Sequence, residues 1–390
     1  MKTLKRILAA TTLLVTLGFA SEANAQVPLE NFFKNPEKAG YQISPDGKYF
    51  SYMAPYENRL NLFVQEVGSD KATRITSETV RDLAGSMWAN GHRILYIKDT
   101  AGDENFQLYG VNVDGTDSKA YTAFPKVRTT IIDPLENIDS LVIIGLNKRN
   151  PQVFDPYRLN LNNGELTQLA ENPGNIQGWM TDHNGKLRVA LAIVDGVNTQ
   201  ILYRETEEQP FRPVLTTNFK ETVSFATFTP DNKMVYALTN IGRDKTALVL
   251  MDPATCEEKE VLYTNDKYDI SGLGYSELKK KLISVSCTGH KGTIRHYFDK
   301  NEEAIRTKLE QKLEGYDINT TSEDKSENIR IIYAGGDRTY GTYYTYNVKE
   351  DKLTKIADLA PWIKEEDMVP IHPLTYTSRT GLTIEGYLPP

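Results

Sequence analysis

The chain has 390 residues, of which 45 are basic and 52 acidic, giving a net charge of −7. A mildly acidic balance lacks the basic footprint that nucleic-acid binding requires. With two cysteines the chain is no disulfide scaffold, and its length buries a large core without one.

The N-terminus reads as an export signal. Lys2, Lys5 and Arg6 make a basic start, Ile7 to Ala20 is mostly apolar, and Ala23-Asn24-Ala25 offers the small residues a signal peptidase reads. Residues 1–25 are therefore expected to be removed before Gln26, leaving an exported protein, periplasmic or extracellular. The apolar stretch is too short, and too diluted by Thr11, Thr12, Thr16 and Gly18, for a comfortable membrane span. No cysteine beside the cleavage site suggests a lipid anchor, so no membrane association is expected after cleavage. The leader holds three basic residues and one acidic one, so the mature chain is two charges more acidic. Residues 26–39 form an N-terminal segment whose Val27-Pro28-Leu29-Glu30-Asn31-Phe32-Phe33 has two adjacent aromatics.

From residue 40 onward short strands dominate. Tyr49 to Met53, Ile94 to Ile97 and Leu141 to Ile144 are rich in β-branched and aromatic residues, and Gly, Asn, Asp and Pro punctuate them. The first unit runs Tyr41-Gln42-Ile43, a turn at Ser44-Pro45-Asp46-Gly47, a return as Lys48 to Ala54, then strands at Asn61–Val67 and Ala72–Thr76. The same order recurs around Asn90-Gly91 and Pro230-Asp231-Asn232. Weaker copies turn near Pro134 to Asn137, Asp182 to Gly185, Glu277 to Lys279 and Glu323 to Lys325. Seven first turns with a mean spacing of roughly 46 residues are the period of a propeller blade. A four-stranded twisted sheet cannot bury both apolar faces alone, and radial stacking does so. The expectation is an all-β chain: a seven-bladed β-propeller of four-stranded blades over 40–368, with six or eight blades as alternatives because the weaker copies are poorly phased. A β-sandwich of this size would need several domains, and no linker separates them. Asn301 to Glu314 reads partly as a helix, with a strand pair and charged loop as its alternative.

In the turn Ser44-Pro45-Asp46-Gly47-Lys48, Pro presets φ, Asp accepts backbone hydrogens and Gly takes positive φ. Its role is structural. The run Lys279-Lys280-Lys281 reads as a solvated turn. Cys256, in a turn-like stretch, and Cys287, inside a strand, read as free thiols.

The chemistry of a site is scarce. The Gly-x-Ser-x-Gly turn that exposes a hydrolase nucleophile is absent; Gly274-Tyr275-Ser276-Glu277-Leu278 lacks the second glycine. None of His92, His183, His290, His296 and His372 falls in His-Glu-x-x-His, and no cysteine pair has zinc spacing, so neither a metal nor another cofactor is expected. One polar cluster stands out, Gly102-Asp103-Glu104-Asn105. It reads either as a solvated connection or as a rim where Asp103 or Glu104 pairs with a peptide amino terminus.

Three stretches carry a resemblance: Gln42 to Tyr52, Trp88 to Tyr96 continuing into Gly102 to Tyr109, and the tail Leu374 to Pro390. Together they resemble the prolyl oligopeptidase family of serine peptidases, especially exported bacterial members near the acylaminoacyl- and dipeptidyl-peptidase branches. The resemblance implies a seven-bladed propeller over an α/β-hydrolase active site, with the propeller limiting access to short peptides and helping to hold their amino ends. It also implies that 369–390 is the start of a truncated hydrolase domain, whose Ser, Asp and His lie beyond this sequence. No activity is then expected of this chain alone. Leu374 to Leu388 reads as a hairpin with an apolar face, marginal by itself. Two alternatives are a periplasmic TolB-like propeller that binds protein partners, and a propeller enzyme such as a lactonase, whose ring of metal-binding side chains cannot be assembled here. The sequence leaves the oligomeric state open.

Overall fold

A computed structural model describes residues 27–388. The export signal expected over 1–25 lies outside the described residues. Seven antiparallel sheets follow one another along the chain, and within each the strands pair in sequence order. This is the seven-bladed propeller.

Blade 1 comprises β1 (Ala39–Ile43), β2 (Tyr49–Tyr56), β3 (Arg59–Glu66) and β4 (Ala72–Arg74). Blade 2 comprises β5 (Gly85–Asn90), β6 (Arg93–Lys98), β7 (Gln107–Asn112) and β8 (Lys119–Ala120). Blade 3 comprises β9 (Thr129–Asp133), β10 (Leu141–Asn150), β11 (Val153–Asn160) and β12 (Leu166–Gln168). Blade 4 runs from β13 (Ile176–Thr181) through β14 (Leu187–Val194) and β15 (Asn198–Tyr203) to β16 (Arg212–Thr217). Blade 5 runs from β17 (Val223–Phe228) through β18 (Val235–Thr239) and β19 (Ala247–Met251) to β20 (Glu258–Tyr263). Blade 6 has β21 (Ile270–Ser276), β22 (Lys281–Gly289) and β23 (Gly292–Tyr297), and blade 7 has β24 (Asp317–Glu323), β25 (Ile329–Gly336), β26 (Thr339–Asn347) and β27 (Lys352–Asp358). All seven first turns read from the sequence fall between the first and second strands of a blade.

The core lies between blades. Leu62 and Val64 of blade 1 pack on Ile94 and Tyr96 of blade 2; Leu95 and Leu108 pack on Val142 and Ile144 of blade 3. Val189 and Ile201 of blade 4 meet Val235 and Val249 of blade 5 in the same way. Successive side chains point to opposite faces, and with Ile94 and Leu95 of β6 in clusters on opposite sides both faces are apolar, which only neighbours on both sides can cover.

Blade 6 departs from the expected four strands. Where a fourth strand would follow β23, the chain forms a helix, α2 (Lys300–Lys312). Asp299 caps it, its side chain accepting from the N–H groups of Asn301 and Glu302 at 2.8 and 3.1 Å. Ile305, Leu309 and Leu313 recur at helical spacing and pack against Ile318, Ile332 and Tyr346 of blade 7. The helix therefore serves blade 7 in place of extending blade 6. Asp299 also pairs with Lys281 at 2.6 Å, and that bond with the two capped N–H groups holds its carboxyl at about 2. We predict that Asp299→Ala costs about 1 kcal/mol, the usual worth of an N-cap. Because the folded carboxyl titrates below the unfolded one, this contribution is full at neutral pH and fades only as pH falls toward 2. Urea denaturation at neutral and acid pH checks both statements.

The first turn of blade 1 follows its sequence reading. Ser44 Oγ donates to Asp46 at 2.7 Å and accepts from Lys48 and Tyr49, while Gly47 sits at φ 72°. A Cβ on Gly47 would also stand 3.0 Å from the Asp324 carboxylate of blade 7. Only glycine meets both demands.

The N-terminal segment is a short helix, α1 (Leu29–Phe33), and is tied to the far end of the propeller: Trp362 donates to Asn31 O at 2.9 Å and Tyr340 to Phe32 O at 2.8 Å. The tail forms the hairpin β28 (His372–Thr377) and β29 (Thr383–Leu388). No helix among the described residues is long and apolar enough to cross a membrane.

The central channel as candidate functional site

The innermost strand of each blade, from β1 to β24, surrounds a central channel. Its two mouths differ by topology. Turns between first and second strands open on one mouth, and turns between second and third strands open on the other.

The hairpin lies at the second mouth. Ile371 N donates to Asp337, in the turn between β25 and β26, at 2.6 Å. Tyr387 donates to His290 O at 2.8 Å and stacks on the His290 ring at 5.4 Å, in the corresponding turn of blade 6. Glu385 bonds Lys267 and accepts from Tyr268, on the connection from blade 5 to blade 6. The hairpin thus reaches from blade 7 to the edge of blade 5. Its outer surface stays apolar and open: Tyr376, Leu382 and Leu388 are all exposed, as are Leu29 and Phe33 of α1.

Asp103 and Glu104 sit at this same mouth, in the turn between β6 and β7, and both are exposed. They differ. Asp103 accepts from the N–H groups of Thr100 and Asn105 and from the Asn105 amide at 3.0–3.2 Å. Those bonds, the Asn105 amide foremost, hold its carboxyl below the usual aspartate range. It is spent on the turn. Glu104 donates its N–H to buried Asp99 at 3.2 Å and has φ 57°, while its carboxylate has no hydrogen-bond or ion-pair partner among the described residues. Of the two candidates, Glu104 is the one free to bind a ligand.

The first mouth was not read from the sequence. A cavity of about 860 Å³ opens there, walled by blades 1, 2, 3, 6 and 7. A volume of this size takes a small ligand or a short peptide. One wall is a charged network between blades 6 and 7. Arg330 grips Glu302 with two bonds, 2.8 and 3.0 Å, and both side chains are buried. Lys279 pairs with Glu302 at 2.7 Å and Glu327 at 2.8 Å, and Arg330 reaches Glu323 at 3.3 Å. So the lysine run at 279–281 is more than a solvated turn: Lys279 and Lys281 both anchor α2. Desolvation pushes the Glu323 and Glu136 carboxyls up, and neighbouring carboxylates add to the rise. Carboxylates crowd this mouth beyond what its cations neutralise.

No group of three or more His, Cys, Asp or Glu side chains among the described residues is arranged to hold a metal ion. Cys256 and Cys287 are free, and burial pushes the Cys256 thiol up to about 11. Ser276, the serine nearest a nucleophile motif in sequence, is buried and bonds Glu327 and the Lys279 N–H at a blade turn.

No family model matches the chain. Over 368 residues it is 28% identical to dipeptidyl aminopeptidase BIII of Pseudoxanthomonas mexicana, covering 91% of this chain and 52% of that protein. It is 26% identical over 400 residues to dipeptidyl peptidase family member 6 of Caenorhabditis elegans, covering 96% and 53%. The chain spans about half the length of the curated relatives it matches. Among solved structures, a prolyl endopeptidase superposes with a TM-score of 0.63 at 12% identity, over 97% of this chain and 59% of that one. Prolyl oligopeptidase B from Galerina marginata gives 0.59 at 12% identity, over 92% and 56%. These two likenesses concern the fold.

Proposed function

We propose that this chain, which resembles the propeller portion of prolyl oligopeptidase-family peptidases, is the substrate-gating part of an exported serine peptidase that hydrolyses short peptides. The observation that carries the reading is the hairpin. Two strands with exposed edges and an apolar outer surface are marginal alone and complete when a larger sheet continues them. They sit at one mouth of a channel, beside α1, where a hydrolase domain would cover the bore. In this reading 1–25 is the export signal, 26–39 packs on that domain, 40–368 is the propeller, and 369–390 begins the α/β-hydrolase fold.

Gating follows from size. A folded polypeptide cannot enter a bore bounded by seven blades, whereas an extended peptide of a few residues can. Glu104, with its free carboxylate at the covered mouth, is placed to take the amino terminus of such a peptide. The chemistry would belong to the missing domain: a serine nucleophile, a histidine base oriented by an aspartate, and backbone donors for the oxyanion.

The test is to express the gene product extended beyond residue 390 and treat it with a fluorophosphonate probe. Labelling of one serine in the extension, with cleavage of short peptides and none by residues 26–390 alone, is the expected result. An extension that takes no label, or a stop codon directly after Pro390, would overturn the reading. In the active parent, Glu104→Gln should raise KM for peptides with a free amino terminus and leave that for amino-blocked peptides unchanged.

A further inference from the structure

The blade 3 turn, residues 134–140, reaches across the bore to two other first turns. Asn137 donates to Glu277 of blade 6 at 2.9 Å, and Asp139 pairs with Lys325 of blade 7 at 2.7 Å. Neither blade adjoins blade 3, so these bonds span the channel. Asn137 and Glu277 line both the 860 Å³ cavity and a second one of about 310 Å³ beside blades 4 and 5. The turn is a strap that divides the mouth in two.

Its base and its tip are held differently. At the base Leu135 is buried, and it packs with Ile138 on Gly185 of blade 4, where a Cβ would meet both side chains at 3.2 Å. Leu135 also takes φ 51°, an unfavourable conformation for a branched side chain that persists only where its surroundings enforce it. Asn137 and Asp139, on either side of Ile138, reach across the bore only through polar, solvent-accessible contacts. Leu135 and Ile138 stay anchored on blade 4 while the side-chain contacts of Asn137 and Asp139 are free to let go.

One tip contact depends on protonation. Glu277, the acceptor for Asn137, is also 3.4 Å from His183 Nδ1, and His183 Nε2 is 2.9 Å from Phe228 O. Both partners of the ring are acceptors, so only the imidazolium satisfies both. The groups facing this ring are Glu277 and Lys280 of blade 6, Asp182 on its own turn (itself paired with Arg188), the stacked Tyr275 ring and Asn232 of blade 5. Glu277 foremost holds His183 above its ordinary range, and His183 foremost holds Glu277 below its own.

We propose that the blade 3 strap is a proton-controlled latch on the channel mouth, locked when His183 is charged and bound to Glu277, and released when His183 loses its proton. The Lys325–Asp139 pair does not involve His183 and sets a separate part of the closure. Deprotonation frees Glu277 to swing from His183 and leaves its carboxylate only Lys280 for compensation, so that it repels Glu136 on the strap. The mouth thus narrows in mild acid and widens as pH rises through the His183 pKa.

Hydrogen exchange on the full chain tests this without any substrate, so its outcome is independent of the peptidase reading. After correction for intrinsic rates, protection of residues 134–140 should fall about fivefold between about pH 6 and about pH 8.5, the factor one exposed ion pair supplies. Strand β10 serves as the internal control and should not change. His183→Gln should abolish the pH dependence, and Lys325→Ala should lower protection at every pH while keeping the slope. If His183→Gln unfolds the chain, Glu277→Gln removes the same pair from the other side and should give the same flat profile. A flat profile in the wild type, or a slope surviving both of these pair-breaking variants, would overturn the latch.

Discussion

Arg330→Met should destabilise the propeller by about 3–5 kcal/mol, the usual cost of removing one partner of a buried pair. Arg330 and Glu302 are 7% and 8% exposed, and the guanidinium supplies both bonds to that carboxylate. Its loss leaves Glu302 buried with Lys279 alone and Glu323 without its ion-pair partner. Replacing both partners, as Arg330→Met with Glu302→Leu, should recover most of the loss, because no orphaned charge remains. Urea denaturation of the single and double variants measures the difference. A single variant within 1 kcal/mol of wild type would show the pair to be more solvated than its geometry implies.

The pH dependence of this network has a definite sign. Burial raises the Glu302 carboxyl, but the bonds from Arg330 and Lys279 outweigh it and the net shift is downward. The network therefore contributes fully above the ordinary glutamate range and is lost as pH falls below it. Acid should unlatch blade 6 from blade 7 while it locks the blade 3 strap, so the two devices respond in opposite senses. They are also separated on the pH scale, carboxylate titration lying below that of histidine.

How much of this was legible in sequence follows from the range of the interactions. The Ser44–Lys48 turn is closed by bonds spanning five residues or fewer, and its residue types state its geometry. All seven first turns were legible for that reason. The Asn301–Glu314 stretch stayed ambiguous because its apolar residues are few and face blade 7, which no local pattern names. The Asn137–Glu277 and Asp139–Lys325 contacts join residues 140 and 186 positions apart, and nothing in either stretch announces its partner. Asp103 and Glu104 were an undivided pair in sequence, and only the turn geometry separates a spent carboxylate from a free one.

Ile331→Ala tests how the ring closes. Blade 1 is built wholly from residues 39–74 and blade 7 wholly from 317–358, so no shared sheet joins the ends. Every other joint has the chain itself as a link; this one has only contacts. Ile331 is fully buried among Tyr41, Ile43, Phe50 and Tyr52 of blade 1. Tyr41 stacks on Tyr52 at 4.8 Å and leans on Tyr343 of blade 7 at 5.4 Å. Two hydrogen bonds cross the seam, Ile43 N to Ser322 Oγ at 3.1 Å and Lys325 N to Pro45 O at 2.9 Å. Truncating Ile331 should cost about 2–5 kcal/mol by the cavity it leaves. Ile144→Ala, equally buried between blades 2 and 3, should cost a similar amount. What differs is the route. At the seam the loss should open blades 1 and 7 first, so that exchange protection in 39–56 and 329–347 falls ahead of the rest. At Ile144 the covalent connection holds the joint, and protection should fall evenly. The same uneven pattern in both variants would show that the seam is no weaker than the joints the chain spans.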